Sequence, residues 1–367
     1  MQDYNPRILI LSNHPTWTYK LRGEVLQALV TEGYKVIVAV GYGPEVEKMK
    51  AIGCEFVDIP YNRRSINPLK EAKLFLSYRN LINKVKPNAV LTYTIKPNLY
   101  GAYICRSSNI PCIINITGLG SALETPGLSR FIFLLMYKIA MKRAFRIFFQ
   151  NEANRELFVK HGIVKDNDVL LPGSGVNLSL YRPIKYPERG ALNFAFISRI
   201  LKAKGIEELL NAAIVIRNKY PYTQFHICGF CDQDYMGLIN DLAGKGIVKY
   251  HGMVPDIKAI YSMSHCVVLP SWSEGMNNVL LESAASARPV ITTNIPGCKE
   301  IVDDGITGFL VKPRDSNDLI IKLEHFILLP YHEKVAMGLA GRKKVESQFN
   351  RNIVVGEYMK AVKKAIT

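Results

Sequence analysis

Short apolar runs alternate with longer amphipathic stretches along most of the chain. Arg7–Ser12 is an apolar run of strand length, Leu21–Glu32 carries apolar side chains at helical spacing and stops at Gly33, and Tyr34–Val40 is apolar again. A β-α-β opening of this kind is the signature of a parallel sheet covered by helices. Residues 61–86 begin as a basic loop and continue as a helix with Leu69, Ala72, Leu76, Leu81 and Val85 among basic residues. Ala89–Tyr93 and Cys112–Ile116 read as further strands. Leu128–Phe149 is a long apolar stretch carrying Arg130, Lys138, Lys142, Arg143 and Arg146. It reads either as a core helix with a basic outer side or as an amphipathic helix in a membrane interface.

The alternation then starts again. Around 184–190 charge density and Pro187 suggest a linker. Asn193–Ser198, Gln224–Cys228, Lys249–Gly252 and Cys266–Leu269 are strand-like, Ile206–Asn218 and Val279–Ala287 are helix-compatible, and Ile353–Thr367 is an amphipathic C-terminal helix. The expected fold class is α/β with two domains, residues 1–185 and 186–352, followed by helix 353–367. In open parallel sheets ligands bind at the carboxyl ends of the strands, which places the 13–18 loop at a binding edge.

The 367 residues suffice for two cores, and 48% hydrophobic with 21% charged residues is ordinary for a soluble protein. No apolar run is long enough to span a bilayer, and the first residues lack a signal-peptide pattern. Seven scattered cysteines, an odd number, argue against a disulfide framework and fit a reducing cytosol. Cys228-x2-Cys231 has no second pair, so zinc is not expected. The net charge of +16 lies mostly in residues 1–185. A basic first half suggests an anionic partner. Without a nucleic-acid motif, membrane phosphates or a lipid pyrophosphate fit better than nucleic acid.

The stretch 266–282, CVVLPSWSEGMNNVLLE, is the richest in chemistry. Read as strand, turn and helix, it aims the backbone N–H groups of Gly275, Met276, Asn277 and Asn278 outward from a helix N-terminus, where anions bind. Gly275 permits close approach of a ligand. Glu274 and Glu282 bracket the turn at a spacing that returns them to one helical face. The alternatives are a helix-capping acid and a solvated surface acid. Arg199 and Lys204 flank a second strand-to-helix turn ending at Gly205, and such a pair can clamp a diphosphate; the alternative is solvated charge. His14 reads either as a phosphate or acceptor ligand or as a loop histidine with local hydrogen bonds, and Arg22 as an anion contact at a helix start.

Several motifs occur together in order: Glu274-x7-Glu282, Ala285–Thr293 (ASARPVITT), Pro296-Gly297, Glu300-Ile301-Val302 and Gly305-x2-Gly308, preceded by Arg199 and Lys204. This arrangement resembles the C-terminal domain of the retaining glycosyltransferases of family 4. Ile95–Gly101 (IKPNLYG) and Ile116–Ser121 (ITGLGS) resemble the bacterial members that extend polyprenyl-diphosphate-linked sugars. The resemblance implies two Rossmann-like domains facing a cleft, the GT-B fold, with helix 353–367 packing back on the first domain. It implies transfer of an N-acetylhexosamine from a UDP-sugar to a lipid-linked saccharide, with retention, at the cytoplasmic face of the inner membrane. Peripheral attachment would run through the basic first domain. Arg199, Lys204 and Glu274 are implied in catalysis, and with Gly229, Met253, Val254, Gly275, Met276, Asn277, Asn278 and Glu282 in donor binding. His14, Thr16, Arg22, Lys96, Asn98, Gly118 and Gly120 are implied on the acceptor side. No metal or further cofactor is implied; Asp303-Asp304 lies in the family's Val-x-x-Gly turn. The histidine that many members carry near Thr117 is missing. Two rival readings remain at this level: a nucleotide-sugar 2-epimerase on the same fold and a non-catalytic membrane-surface module.

Overall fold

The computed structural model describes residues 5–59, 67–118, 127–188 and 190–367. It divides into two compact units, Met1–Ser174 with Asn352–Thr367, and Gly175–Arg351. The first unit is built on β1 (Arg7–Leu11), β2 (Lys35–Val40), β3 (Glu55–Asp58), β4 (Ala89–Tyr93), β5 (Cys112–Ile116), β6 (Arg146–Phe149) and β7 (Asp168–Leu170). These pair in parallel in the order β3-β2-β1-β4-β5-β6-β7. In β1, Ile8 and Ile10 join one core cluster while Leu9 and Leu11 join another. A continuous apolar strand therefore reports a sheet covered on both faces. The C-terminal helix Arg351–Ile366 supplies Val354, Tyr358, Ala361 and Val362 to the cluster of Ile8 and Ile10.

The second unit holds β8 (Leu192–Ile197), β9 (Thr223–Cys228), β10 (Val248–Gly252), β11 (Cys266–Leu269), β12 (Val290–Thr293) and β13 (Gly308–Val311), all parallel, in the order β10-β9-β8-β11-β12-β13. Both sheets are doubly wound. Strand order reverses at β1/β4 in the first and at β8/β11 in the second, and at such switch points the loops part and leave a crevice.

Four sequence expectations are corrected. Leu128–Phe149 is not one helix: the helix ends at Ala140, a 3-10 turn covers Met141–Arg143, and Arg146–Phe149 is a strand between β5 and β7. A short run of β-branched and aromatic residues favours that buried strand, which apolar periodicity alone does not distinguish from helix. The first helix begins at Pro15, with proline in its first turn. Most of the supposed 13–18 loop is thus helix. Arg22 lies two turns inside it and is buried. The chain passes to the second unit at Gly175, ahead of the expected linker. Val176 accounts for this: it is buried in the second core and its backbone pairs with Phe349 and Arg351.

Arg288, in the ASARPV segment, fastens 184–186 to the second unit. It is fully buried, and its guanidinium donates to the carbonyls of Tyr261 (2.6 Å), Ile184 (2.9 Å) and Lys185 (2.7 Å). Burial pushes its pKa down to about 10. A lysine ammonium lacks the planar fork that reaches these acceptors together. Arg288→Lys is expected to cost about 2 kcal/mol, because buried carbonyls lose their donors; a lowered urea midpoint checks it, and an unchanged one refutes it.

Candidate functional site

In the second unit the loop after β8 and the loop after β11 leave the sheet side by side, and backbone contact fixes them together. The Trp272 amide donates to the Ala203 carbonyl at 2.9 Å. Gly205, at φ +76°, lies so close to Pro270 that a Cβ would stand 2.0 Å from its carbonyl oxygen. Any larger residue would push the loops apart. Trp272 is itself clamped: its indole donates to Glu208 at 3.0 Å and its ring lies under the Arg314 guanidinium at 4.5 Å.

On this base Lys204 and Glu274 form an ion pair at 2.5 Å, with side-chain exposures of only 17% and 11%. Asn277 donates through Nδ2 to the same Glu274 oxygen at 2.8 Å. Its Oδ1 accepts from the Leu280 amide at 3.2 Å, capping the helix Asn278–Ala285. One side chain thus both starts the helix and holds the acid. The Asn277 amide is committed to the Gly297 carbonyl at 2.9 Å and so is not an outward donor, contrary to the sequence expectation. Gly297, at φ +85°, packs on the turn so closely that a Cβ would meet the Gly275 carbonyl at 2.6 Å.

Glu274 is not related to Glu282 by helical periodicity, because the helix begins only at Asn278. Glu282 has its own setting. It accepts from the Tyr261 hydroxyl at 3.1 Å and from the Tyr181 hydroxyl. Burial first, and then the Glu282 charge, raise both phenol pKa values, so both remain donors. It is neither bare nor a solvated surface acid. Arg199 pairs with Asp232 at 3.1 Å and stays partly exposed. Gly229 follows β9 and would put a Cβ 1.8 Å from the Ser198 carbonyl at the end of β8. Its amide donates to the Gly252 carbonyl at 2.7 Å, which draws the exposed Met253 and half-buried Val254 to the same edge of the sheet.

In the first unit, His14 caps the helix Pro15–Thr31 with its backbone alone. Thr16 donates to Glu45 at 2.8 Å, and Lys96 pairs with Glu71 at 2.7 Å. Asn98 donates to the Asn115 carbonyl at 2.8 Å, and Asn115 in turn accepts from the Tyr358 hydroxyl. The Arg22 guanidinium lies over the rings of Tyr93 (5.0 Å) and Tyr358 (5.8 Å), at the end of β4 beside the switch point. Thr94, between Tyr93 and Lys96, holds φ +72°, a conformation that β-branched residues rarely adopt. Gly118 follows β5; Gly120 lies outside the described residues.

Sequence reasoning missed Tyr181, Tyr261, Asp232 and the double role of Asn277. Tyr181 stands two residues before Pro183, just after the chain enters the second unit, and nothing in its spacing says what it touches.

Comparisons with known proteins give the family and the fold. The model "Glycosyl transferases group 1" matches residues 191–328, and "Glycosyl transferase 4-like" matches residues 7–151. The chain belongs to the family 4 glycosyltransferases. It is thus a hexosyltransferase. Among its relatives is the N,N'-diacetylbacillosaminyl-diphospho-undecaprenol alpha-1,3-N-acetylgalactosaminyltransferase of Campylobacter jejuni, 25% identical over 98% of this chain and 99% of the relative. The UDP-Gal:alpha-D-GlcNAc-diphosphoundecaprenol alpha-1,3-galactosyltransferase of Escherichia coli is 27% identical over 71% of this glycosyltransferase and 72% of the relative. The structure of Anabaena HepE in complex with UDP and glucose superposes with a TM-score of 0.80 at 15% identity, over 98% of this chain and all of that one. At that identity the likeness is one of fold.

The edge of the glycosyltransferase's second sheet also carries a pH dependence. His226 on β9 stacks on His251 of β10, with ring nitrogens 2.9 Å apart. Burial, then the His251 and Lys249 charges, lower the His226 pKa from 6.5 to about 4. His265 is lowered to about 4 as well, mainly by burial. The unfolded chain therefore binds protons before the folded one does. Stability is full above pH 6.5 and is lost as pH falls toward 4, by roughly 3 kcal/mol for His226. Urea titrations at a series of pH values should show this loss, with a shallower slope in His226→Gln; equal slopes would contradict it.

Proposed function

We propose that this glycosyltransferase moves an N-acetylhexosamine from a UDP-sugar to a polyprenyl-diphosphate-linked saccharide, with retention at the anomeric carbon, at the cytoplasmic face of a membrane. The observation that carries it is the Lys204–Glu274–Asn277 constellation at the β8/β11 switch point. Breaking the bond from the sugar C1 to the diphosphate leaves positive charge on the ring and negative charge on the departing UDP. Fixed donors in a partly buried site stabilise that leaving charge. Lys204 supplies one, Arg199 a second, and the amides of Met276 and Asn278 at the helix start the others. Glu274 orients the sugar hydroxyls, and Glu282, held by two phenols, takes the ribose hydroxyls. Gly229, Met253 and Val254 border the base. The second unit thus holds the donor, and no metal is called for.

The first unit holds the acceptor. Lys96 stands at its strand ends with His14, Thr16 and Gly118, and a basic first half suits a lipid diphosphate; Arg22 and Asn98 are buried behind them and position the strand ends rather than touch the acceptor. Relatives named for diphospho-undecaprenol substrates support that acceptor class, and the HepE complex with UDP supports the donor class. The same basic surface suits attachment to a membrane carrying such acceptors.

Glu274→Gln is expected to keep the fold and lower kcat/KM at least tenfold, about 1.4 kcal/mol of transition-state stabilisation. Lys204→Ala is expected to raise the donor KM. Steady-state kinetics over a panel of UDP-sugars with a polyprenyl-diphosphate disaccharide test both; wild-type constants would reject the assigned roles. Incubation with donor alone separates transfer from 2-epimerisation, which would release free sugar or sugar nucleotide without acceptor.

A further inference from the structure

The helix Leu128–Ala140 is used on one side only. Leu134, Tyr137 and Ala140 are buried in the first unit's core. On the other side Leu128, Phe131, Ile132, Leu135, Met136 and Ile139 are all exposed, Leu128 by 75% and Phe131 by 65%. Their spacing is i, i+3, i+4, i+7, i+8 and i+11, which is one continuous stripe. A water-facing helix would carry polar residues there. Tyr103 is exposed one turn from Arg106, whose guanidinium donates to the Ile139 carbonyl at 2.7 Å.

Charge decides what covers the stripe. From Gly127 to Asn151 the sequence contains no Asp or Glu, while Arg130, Lys138, Lys142, Arg143 and Arg146 are all basic. Lys138, Lys142 and Arg143 are exposed beside the apolar face. An apolar stripe whose own segment carries cations and no acid matches the boundary between acyl chains and anionic headgroups. Among the described residues no helix is long and apolar enough to cross a membrane, so the contact is one of lying in the surface.

We propose that the outer face of the helix Leu128–Ala140 docks on an anionic lipid bilayer, with Phe131, Ile132 and Leu135 entering the acyl boundary and Lys138, Lys142 and Arg143 pairing with headgroup phosphates. The proposal rests on the lipid-linked acceptor read above and names the surface through which the enzyme reaches it.

Binding is measured by co-sedimentation of the full chain with vesicles, without donor or acceptor, so the result does not depend on the reaction. Vesicles containing phosphatidylglycerol should bind at least tenfold more tightly than pure phosphatidylcholine ones. The double variant Phe131→Glu, Leu135→Glu should lose at least tenfold in that binding, while its transfer to a short-chain, water-soluble acceptor stays at the wild-type rate. Vesicle binding without any transfer would sink the assigned reaction and leave the docking face standing. Undiminished vesicle binding by the double variant overturns the docking proposal. So does a dimer in light scattering that the variant dissociates, if the wild type shows no affinity for vesicles. Should the double variant fold poorly, Ile132→Trp reports instead: its added emission should shift to the blue with phosphatidylglycerol vesicles, and no shift overturns the proposal.

Discussion

The site depends on the reversal of strand order between β8 and β11. Both strands point the same way, but the chain leaves them toward opposite faces, and their loops are left facing each other. Backbone contact then fixes the spacing. Gly205 abuts the Pro270 carbonyl, the Trp272 amide reaches Ala203, and Gly297 lies against Gly275. None of these contacts tolerates a bulky side chain at the glycine, so the loops cannot drift without losing backbone hydrogen bonds. The Lys204–Glu274 pair is a consequence of this frame. A pair so little exposed contributes little net stability, because desolvation offsets the attraction, whereas removing one partner strands a charge at a cost of about 3–5 kcal/mol. An apolar pair of similar size would serve the fold as well.

The first unit repeats the plan with a different filling. At its β1/β4 switch point the polar groups are turned inward onto one another. Asn98 holds Asn115, Asn115 accepts from Tyr358, and Arg22 lies over the neighbouring rings of Tyr93 and Tyr358. The C-terminal helix contributes Tyr358 to this chain of contacts, so the last element of the sequence completes the strand ends of the first unit. A strained Thr94 stands next to it. Residues in sparsely populated backbone regions persist only where their surroundings over-determine them, and they gather at functional edges.

Much of the fold was legible because both sheets are covered on both faces. A strand buried twice reads as an unbroken apolar run, and β1, β2, β4, β5, β8 and β11 announce themselves that way. The same property hid β6, whose run RIFF follows an apolar helix without a turn residue to separate them. Edge strands β3 and β7 are short and half exposed, so they carry little pattern. The start of the first helix is hard to read from sequence because proline suits a loop and a helix's first turn alike, and Pro15 stands in the first turn. At the site, residue types and order were legible and partners were not. Lys204 and Glu274 stand 70 positions apart in sequence, and Tyr261 and Glu282 stand 21 apart. Only the sheet order brings them together. The commitment of the Asn277 amide to Gly297 is likewise a matter of the third dimension.

The two acids proposed for the donor site differ in what neutralises them, and that difference suggests how they divide the work. Glu274 faces a cation, Glu282 two neutral phenols. On the proposed reading, a diphosphate arriving at the helix start would compete for Lys204, since a doubly anionic ligand attracts the ammonium more strongly than one carboxylate does. Glu274 would then exchange a cation for sugar hydroxyls while Asn277 keeps it in place, so donor binding itself prepares the acid for the sugar. Glu282 undergoes no such exchange. Its phenols stay protonated and fixed, which suits a group that binds a ribose in the same way before and after transfer. On this argument Glu274 and Lys204 belong to the step in which charge moves, and Glu282 to the affinity for the nucleotide that remains.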